Sequence, residues 1–135
     1  MVNSKSTTII AASVVIILFL DFLYISLLGK NHFSKLINSI QGSPMTVKKA
    51  PVVFCYFLMI LGLNFFILSP RRSVGAAFIL GIVIYGIYET VNYAIIKDWT
   101  LSTVFMDTLW GGILFSVTTW VIYYAYDRRA LEKTI

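Results

Sequence analysis

Four stretches of about 20 apolar residues, parted by short charged segments, leave this chain little choice of fold. A helix rises about 1.5 Å per residue, so each stretch is long enough to cross a bilayer's ~30 Å hydrocarbon core. The runs cover about 8–29, 50–68, 74–96 and 101–124. A soluble core of this size would not need its apolar residues so grouped. The charged share, 13%, is about half the ~25% usual in soluble domains. The expected fold is all-α: a polytopic membrane protein with four transmembrane helices, forming one transmembrane domain over residues 1–135.

The charges are sorted by depth. All eleven Lys and Arg residues lie between or outside the apolar runs, whereas Asp21, Glu89 and Asp107 lie within them. The basic segments therefore read as anchors at a bilayer surface. No basic-aromatic module points to nucleic acid. The first run is too long for a cleavable signal sequence, so an uncleaved signal-anchor helix is expected. Four spans put both termini on one side. That side carries Lys5, Arg71, Arg72, Arg128, Arg129 and Lys133; the other carries Lys30, Lys35, Lys48, Lys49 and Lys97. The positive-inside rule leans, by one residue, toward cytoplasmic termini.

The segment after the first span has a pattern of its own. Phe33, Leu36, Ile37 and Ile40 recur at i, i+3, i+4 and i+7, with polar residues between them. Gly29 and Lys30 end the first helix in this reading, and Asn31 caps a new one. Gly42 and Pro44 stop it. The result is a short amphipathic helix over about 31–41, expected to lie flat in the interface. Asn64 is expected to bond a neighbouring helix. Ala77, Gly81, Thr108, Gly112 and Ser116 recur at spacings of four and mark expected close helix contacts. Lys97-Asp98-Trp99 is so short a turn that the last two helices must be antiparallel neighbours. Trp99 reads as an interfacial indole.

The most informative stretch is Tyr85-Gly-Ile-Tyr-Glu-Thr-Val-Asn92, where a carboxyl group, an amide and phenols stand among lipid-soluble side chains. An ionisable group at that depth costs at least about 2.5–3.5 kcal/mol, and such groups face a bundle interior or a wet cavity. Counted from the ends of their spans, Asp21, Glu89 and Asp107 lie about 12, 10 and 9 Å deep. Three acids from three helices thus share one level, with no Lys or Arg beside them. Either they share protons and hydrogen bonds or they hold a cation. A neutral network that merely ties the bundle together is the structural alternative. The candidate binding or proton-coupling residues are Asp21, Glu89, Asp107, Asn92, Tyr24, Tyr85, Tyr88 and Trp110.

Other chemistry has little support. His32 is the only histidine, which excludes a His-rich metal site. A hard cation on the carboxylates and Asn92 is a minor option, and no metal or cofactor is expected. Cys55 is the only cysteine, so no internal disulfide forms. No Ser/His/Asp set, glycine-rich phosphate loop or CxxC motif occurs.

Four segments carry a family resemblance: Asp21-Phe-Leu-Tyr24, the amphipathic Phe33–Ile40, Tyr85–Asn92, and Asp107-Thr-Leu-Trp-Gly111. In this order, and over most of the chain, they resemble DUF2177, a family of small predicted four-helix membrane proteins. The family pattern often has Asp where this chain has Glu89, and Trp where it has Tyr24; both changes keep the type of chemistry. The resemblance implies a fold and the location of a site. It supplies no reaction.

Three functions remain open. The first is proton- or cation-linked transport or binding of a small or amphipathic solute, which four helices would carry out as a homo-oligomer or in a larger membrane assembly. The second is a membrane-embedded enzyme or helper acting on lipids, with the acids in acid/base roles. The third is an accessory subunit of a membrane complex. The first is favoured, and an enzyme is the less favoured reading.

Overall fold

In hydrocarbon no water is available to a peptide N–H or C=O, so a span must close its own hydrogen bonds as a helix. A computed structural model of the protein describes residues 3–132 and follows this rule. Helix α1 (Ser4–Tyr24) leads through a π-helical turn (Ile25–Gly29) into α2 (Lys30–Gln41). Helix α3 (Lys49–Leu63) ends in a second π-helical turn (Asn64–Leu68). Then come α4 (Val74–Ile95), α5 (Leu101–Tyr126) and the short α6 (Arg128–Glu132). Four segments are long and apolar enough to cross a membrane: Ser4–Gln41, Lys49–Leu68, Val74–Ile95 and Leu101–Tyr126. The chain is an integral, multi-pass membrane protein.

Polar side chains set the helix ends. Ser73 accepts the Ala76 N–H at the start of α4, and Thr100 accepts that of Thr103 at the start of α5. Such caps satisfy N–H groups that the first turn leaves without a carbonyl. Gly42 ends α2 in the left-handed conformation that glycine adopts without strain.

Helix α5 is central. It packs along α4 and against α1, burying Leu114, Phe115, Ile122 and Tyr123. Its Thr118 and Thr119 hydroxyls donate to carbonyls of their own helix, which removes their cost in an apolar core. The α4–α5 approach is close because Gly81 faces the Gly111 backbone, Gly111 takes the Tyr85 ring, and Gly112 takes Phe78 and Ile82. Ala77 is buried there too, and the Thr108 methyl meets Gly86. The Ser116 hydroxyl instead donates to the Ile113 carbonyl of its own helix. Helix α3 joins through Met59 and Leu63, followed by Ile67 and Leu68 in its π-helical turn. The Asn64 amide donates to Ser13 of α1 at 2.9 Å, the interhelical role expected of it. At the end holding both termini, Asp127 pairs with Arg71 at 2.9 Å and Lys5 at 3.7 Å.

The amphipathic segment departs from expectation in how it begins. It does not start afresh at an Asn31 cap; α1 and α2 form one continuous helical segment of 38 residues. No proline interrupts this stretch, and one interior glycine costs a helix only about 1 kcal/mol. The π-helical turn inserts one extra residue and so rotates everything after it. Without it Leu28, one turn beyond Tyr24, would face α5. Instead Leu28 is 64% exposed and Gly29 is buried. The rotation turns the stripe of α2 onto protein: Leu36 is buried with Trp99 and Val104, and Phe33, Ile37 and Ile40 pack around them with Ile96.

Candidate functional site

Helices α1 and α5 meet through two short matching motifs. Each carries an acid and, three residues later, an aromatic donor: Asp21 with Tyr24, and Asp107 with Trp110. Spacing of three places each pair on one helix face. Because the helices run antiparallel, each donor reaches the other helix's acid. Tyr24 donates to Asp107 Oδ1 at 3.0 Å, and Trp110 Nε1 donates to Asp21 Oδ1 at 2.8 Å. Between these bonds the two rings stack, centroids 4.5 Å apart and planes 6° from parallel. From α3, Tyr56 donates a short hydrogen bond to Asp21 Oδ2. Both oxygens of Asp21 thus have donors.

Glu89 of α4 extends the layer. Its side chain is 0% exposed. Backbone turning after α4, with Trp99 N–H bonded to the Ile96 carbonyl, folds the Trp99 indole back over the helix end. Trp99 Nε1 donates to Glu89 Oε2 at 2.8 Å. Glu89 Oε1 is buried and meets no donor. The neighbouring carboxyl group is that of Asp107. Two ionised carboxylates repel one another, and a proton held between them would turn that repulsion into a hydrogen bond. A continuous layer results: Tyr56, Asp21, the Trp110/Tyr24 stack, Asp107, Glu89 and Trp99.

The structure sorts the candidates. It brings together Asp21, Glu89, Asp107, Tyr24 and Trp110. Tyr85 lies against Gly111 and turns its hydroxyl to Met59 Sδ, 3.9 Å away. Tyr88 is exposed and touches the layer only edge-on through the Trp99 ring. Asn92 is half-buried, and among the described residues its side chain has no hydrogen-bond partner. Trp99 corrects the reading of an interfacial anchor: it is 5% exposed and holds Glu89. The available signal was its ten-residue separation from Glu89 across a turn too short to carry it away. His32 also approaches the layer. Its Nε2 lies 2.7 Å from the Thr103 hydroxyl, one turn before Asp107 on α5.

Among the described residues no three His, Cys, Asp or Glu side chains converge as a metal site would require. A polar cleft at the termini end is lined by Lys5, Asn64, Arg71 and Asp127. A second, apolar groove between α3 and α4 is lined by Phe54, Cys55, Leu58, Met59 and Ile84. Neither is lined by the three acids.

The two ends of this layer predict different mutant behaviour. Tyr56→Phe strands a buried acceptor at Asp21, which costs about 1–3 kcal/mol. It is expected to lower the thermal midpoint in detergent while leaving the protonation of the Glu89–Asp107 pair unchanged. Thermal melts alongside infrared spectra of the carboxyl band check both halves.

No match was found among curated proteins or among solved structures. A family model, that of DUF2177, described as a predicted membrane protein, matches residues 6–124 and so takes in every residue of the acidic layer. On that coverage the chain belongs to the DUF2177 family of predicted membrane proteins.

Proposed function

We propose that the protein binds and exchanges a proton inside the membrane at Glu89 and Asp107, and uses that proton to drive the transport or binding of a small or amphipathic solute. One observation carries this reading: a fully buried carboxyl oxygen of Glu89, without a donor, facing a second carboxyl group with no Lys or Arg beside it. Such a pair is satisfied with one proton and strained without it, so it can take up and release a proton as its surroundings change. Asp21 differs, since aromatic donors occupy both its oxygens. It acts as the anchor that fixes α1 against α3 and α5. The lack of a converging three-ligand set favours a proton over a metal cation.

The apolar groove between α3 and α4 supports a lipid-soluble partner for this proton. It opens toward the bilayer beside Met59, the residue to which Tyr85 points. The same groove gives a lipid-directed helper role its support. Within one copy of the chain Glu89 is fully buried and Asp107 nearly so, so a transport path needs a second copy or another subunit. Orientation is proposed with the termini in the cytoplasm, from the excess of basic residues on their side.

Infrared difference spectroscopy of the protein in lipid, scanned from about pH 5 to about pH 9, tests the reading. A carboxyl C=O band that disappears as pH rises, and is lost in both Glu89→Gln and Asp107→Asn, is the expected result. Ionised carboxylates throughout the range would remove the shared proton. If the band titrates but sealed vesicles show no proton-linked flux, the pair serves the lipid-directed role instead.

A further inference from the structure

We infer that His32 is the group through which the Glu89–Asp107 pair exchanges its proton with water, on the membrane side opposite the termini. This rests on the proton-binding reading above and adds a route to it. With Glu89 fully buried and Asp107 only 8% exposed behind Trp99, Tyr24 and the α4–α5 contact, a relay would speed exchange with water. The rotation made by the Ile25–Gly29 turn brings one titratable side chain to the rim of the layer. His32 is half-exposed, its ring is steadied edge-on by Phe33 at 5.5 Å, and its Nε2 lies 2.7 Å from Thr103 Oγ1. Thr103 is fully buried and precedes Asp107 by four residues on the same face of α5.

The groups around His32 favour a relay over a simple tether. On α5 the titratable group beyond Thr103 is Asp107, one turn on. On its own helix Lys30 and Lys35 are exposed, as are Lys97 and Asp98 in the α4–α5 connection, and none of the four forms an ion pair among the described residues. Among the described residues the imidazole is therefore not held in a salt bridge, and its ring nitrogen is left to Thr103. Thr103 Oγ1 also lies 2.6 Å from Thr100 Oγ1, which is 3.1 Å from Ser102 Oγ, giving a cluster of rotatable hydroxyls at this end.

The transfer balances without any redox partner. Protonated His32 gives its Nε2 proton to Thr103 Oγ1, and the hydroxyl passes its own proton onward. The gap to Asp107 is one helical turn, about 6 Å along the axis, a distance one water bridges. The carboxyl pair gains one proton, and the imidazole regains one from bulk water. Release runs the same steps backward.

The test is a pH jump followed by time-resolved infrared detection of the carboxyl band in proteoliposomes. His32→Gln keeps a hydrogen bond to Thr103 but cannot titrate. The band should keep its amplitude while its rise slows by roughly ten-fold or more, and added imidazole should restore the rate. Because His32 is the only histidine, wild-type protein treated with diethylpyrocarbonate should slow equally and recover with hydroxylamine. This second measurement keeps the question decidable if His32→Gln does not fold. An unchanged rate at full amplitude in the variant or the modified protein overturns the relay and leaves the carboxyl pair standing. A band absent from wild type overturns the pair, and the relay with it.

Discussion

Gly81→Leu is expected to prevent recovery of folded, monodisperse protein from detergent, and even Gly81→Ala should lower its stability sharply. A Cβ at this position would lie 2.5 Å from the Gly111 carbonyl carbon, closer still to its oxygen, and 2.9 Å from the Gly112 nitrogen. All three are backbone atoms in the middle of α5, so no side chain can move aside. The helices would have to separate, and the stacked contacts around Gly111 and Gly112 would open with them. Overpacking of ordinary cores costs about 1–3 kcal/mol; here, with backbone on both sides, roughly 3 kcal/mol or more is expected for alanine alone. Gly62 is the internal control. A Cβ there meets nothing within 4 Å, so Gly62→Ala should be neutral or slightly stabilising. Thermal melts of both alanine variants in one detergent would decide the matter. Equal midpoints would mean that α4 and α5 do not meet at these glycines.

Glu89→Gln should give the largest functional loss with the smallest structural one. The amide keeps the shape of the side chain and an oxygen for Trp99 Nε1, and its NH2 supplies the donor that Asp107 would otherwise receive from the shared proton. The variant should fold with a midpoint close to wild type. Proton-linked flux in vesicles should fall by roughly two orders of magnitude or more, as expected when a positioned acid–base group is removed. Glu89→Ala separates the two effects, because it leaves the buried Trp99 indole N–H without an acceptor and should also destabilise the fold. Normal flux in a well-folded Glu89→Gln protein would reduce the whole layer to a structural tie.

Much of the architecture was legible because lipid simplifies the problem. Apolar runs of spanning length admit only helices, and the short Lys97–Trp99 turn admits only antiparallel neighbours. The depth of Asp21, Glu89 and Asp107 followed from counting residues at a fixed rise. Asn64 reached a neighbouring helix for the reason given for any amide in hydrocarbon. The partners of the acids were harder. Asp21 with Tyr24 and Asp107 with Trp110 show the spacing of three, but the crossed pairing between them depends on the register of α1 against α5, which sequence does not state. Trp99 was hidden by its own chemistry: an indole near a span's end suits an interface as well as it suits a buried carboxylate. His32 could not be placed, because its position depends on one extra residue in the Ile25–Gly29 turn, and no residue there announces a π-helical geometry. A regular α-helix through Gly29 would have turned a different face of α2 toward the layer. Tyr88 and Asn92 stand on the helix of Glu89, but Tyr88 is exposed and meets the layer only through the Trp99 ring, and among the described residues Asn92 has no hydrogen bond to it.

The unbroken α1–α2 segment has a mechanical consequence. At about 1.5 Å per residue its 38 residues trace about 57 Å of helix, while the hydrocarbon layer it crosses is ~30 Å thick. Nearly half of it must therefore extend past the hydrocarbon or be taken up by tilt or by a bend at the π-helical turn. Its far portion is clamped to the start of α5 through Leu36, Trp99 and Val104, and its near portion through the Asp21–Tyr24 motif. A lever fastened at both places cannot lean without dragging α5. Bilayer thickness, which biases the tilt of long helices, thereby becomes a force felt at the carboxyl layer to which both clamps belong.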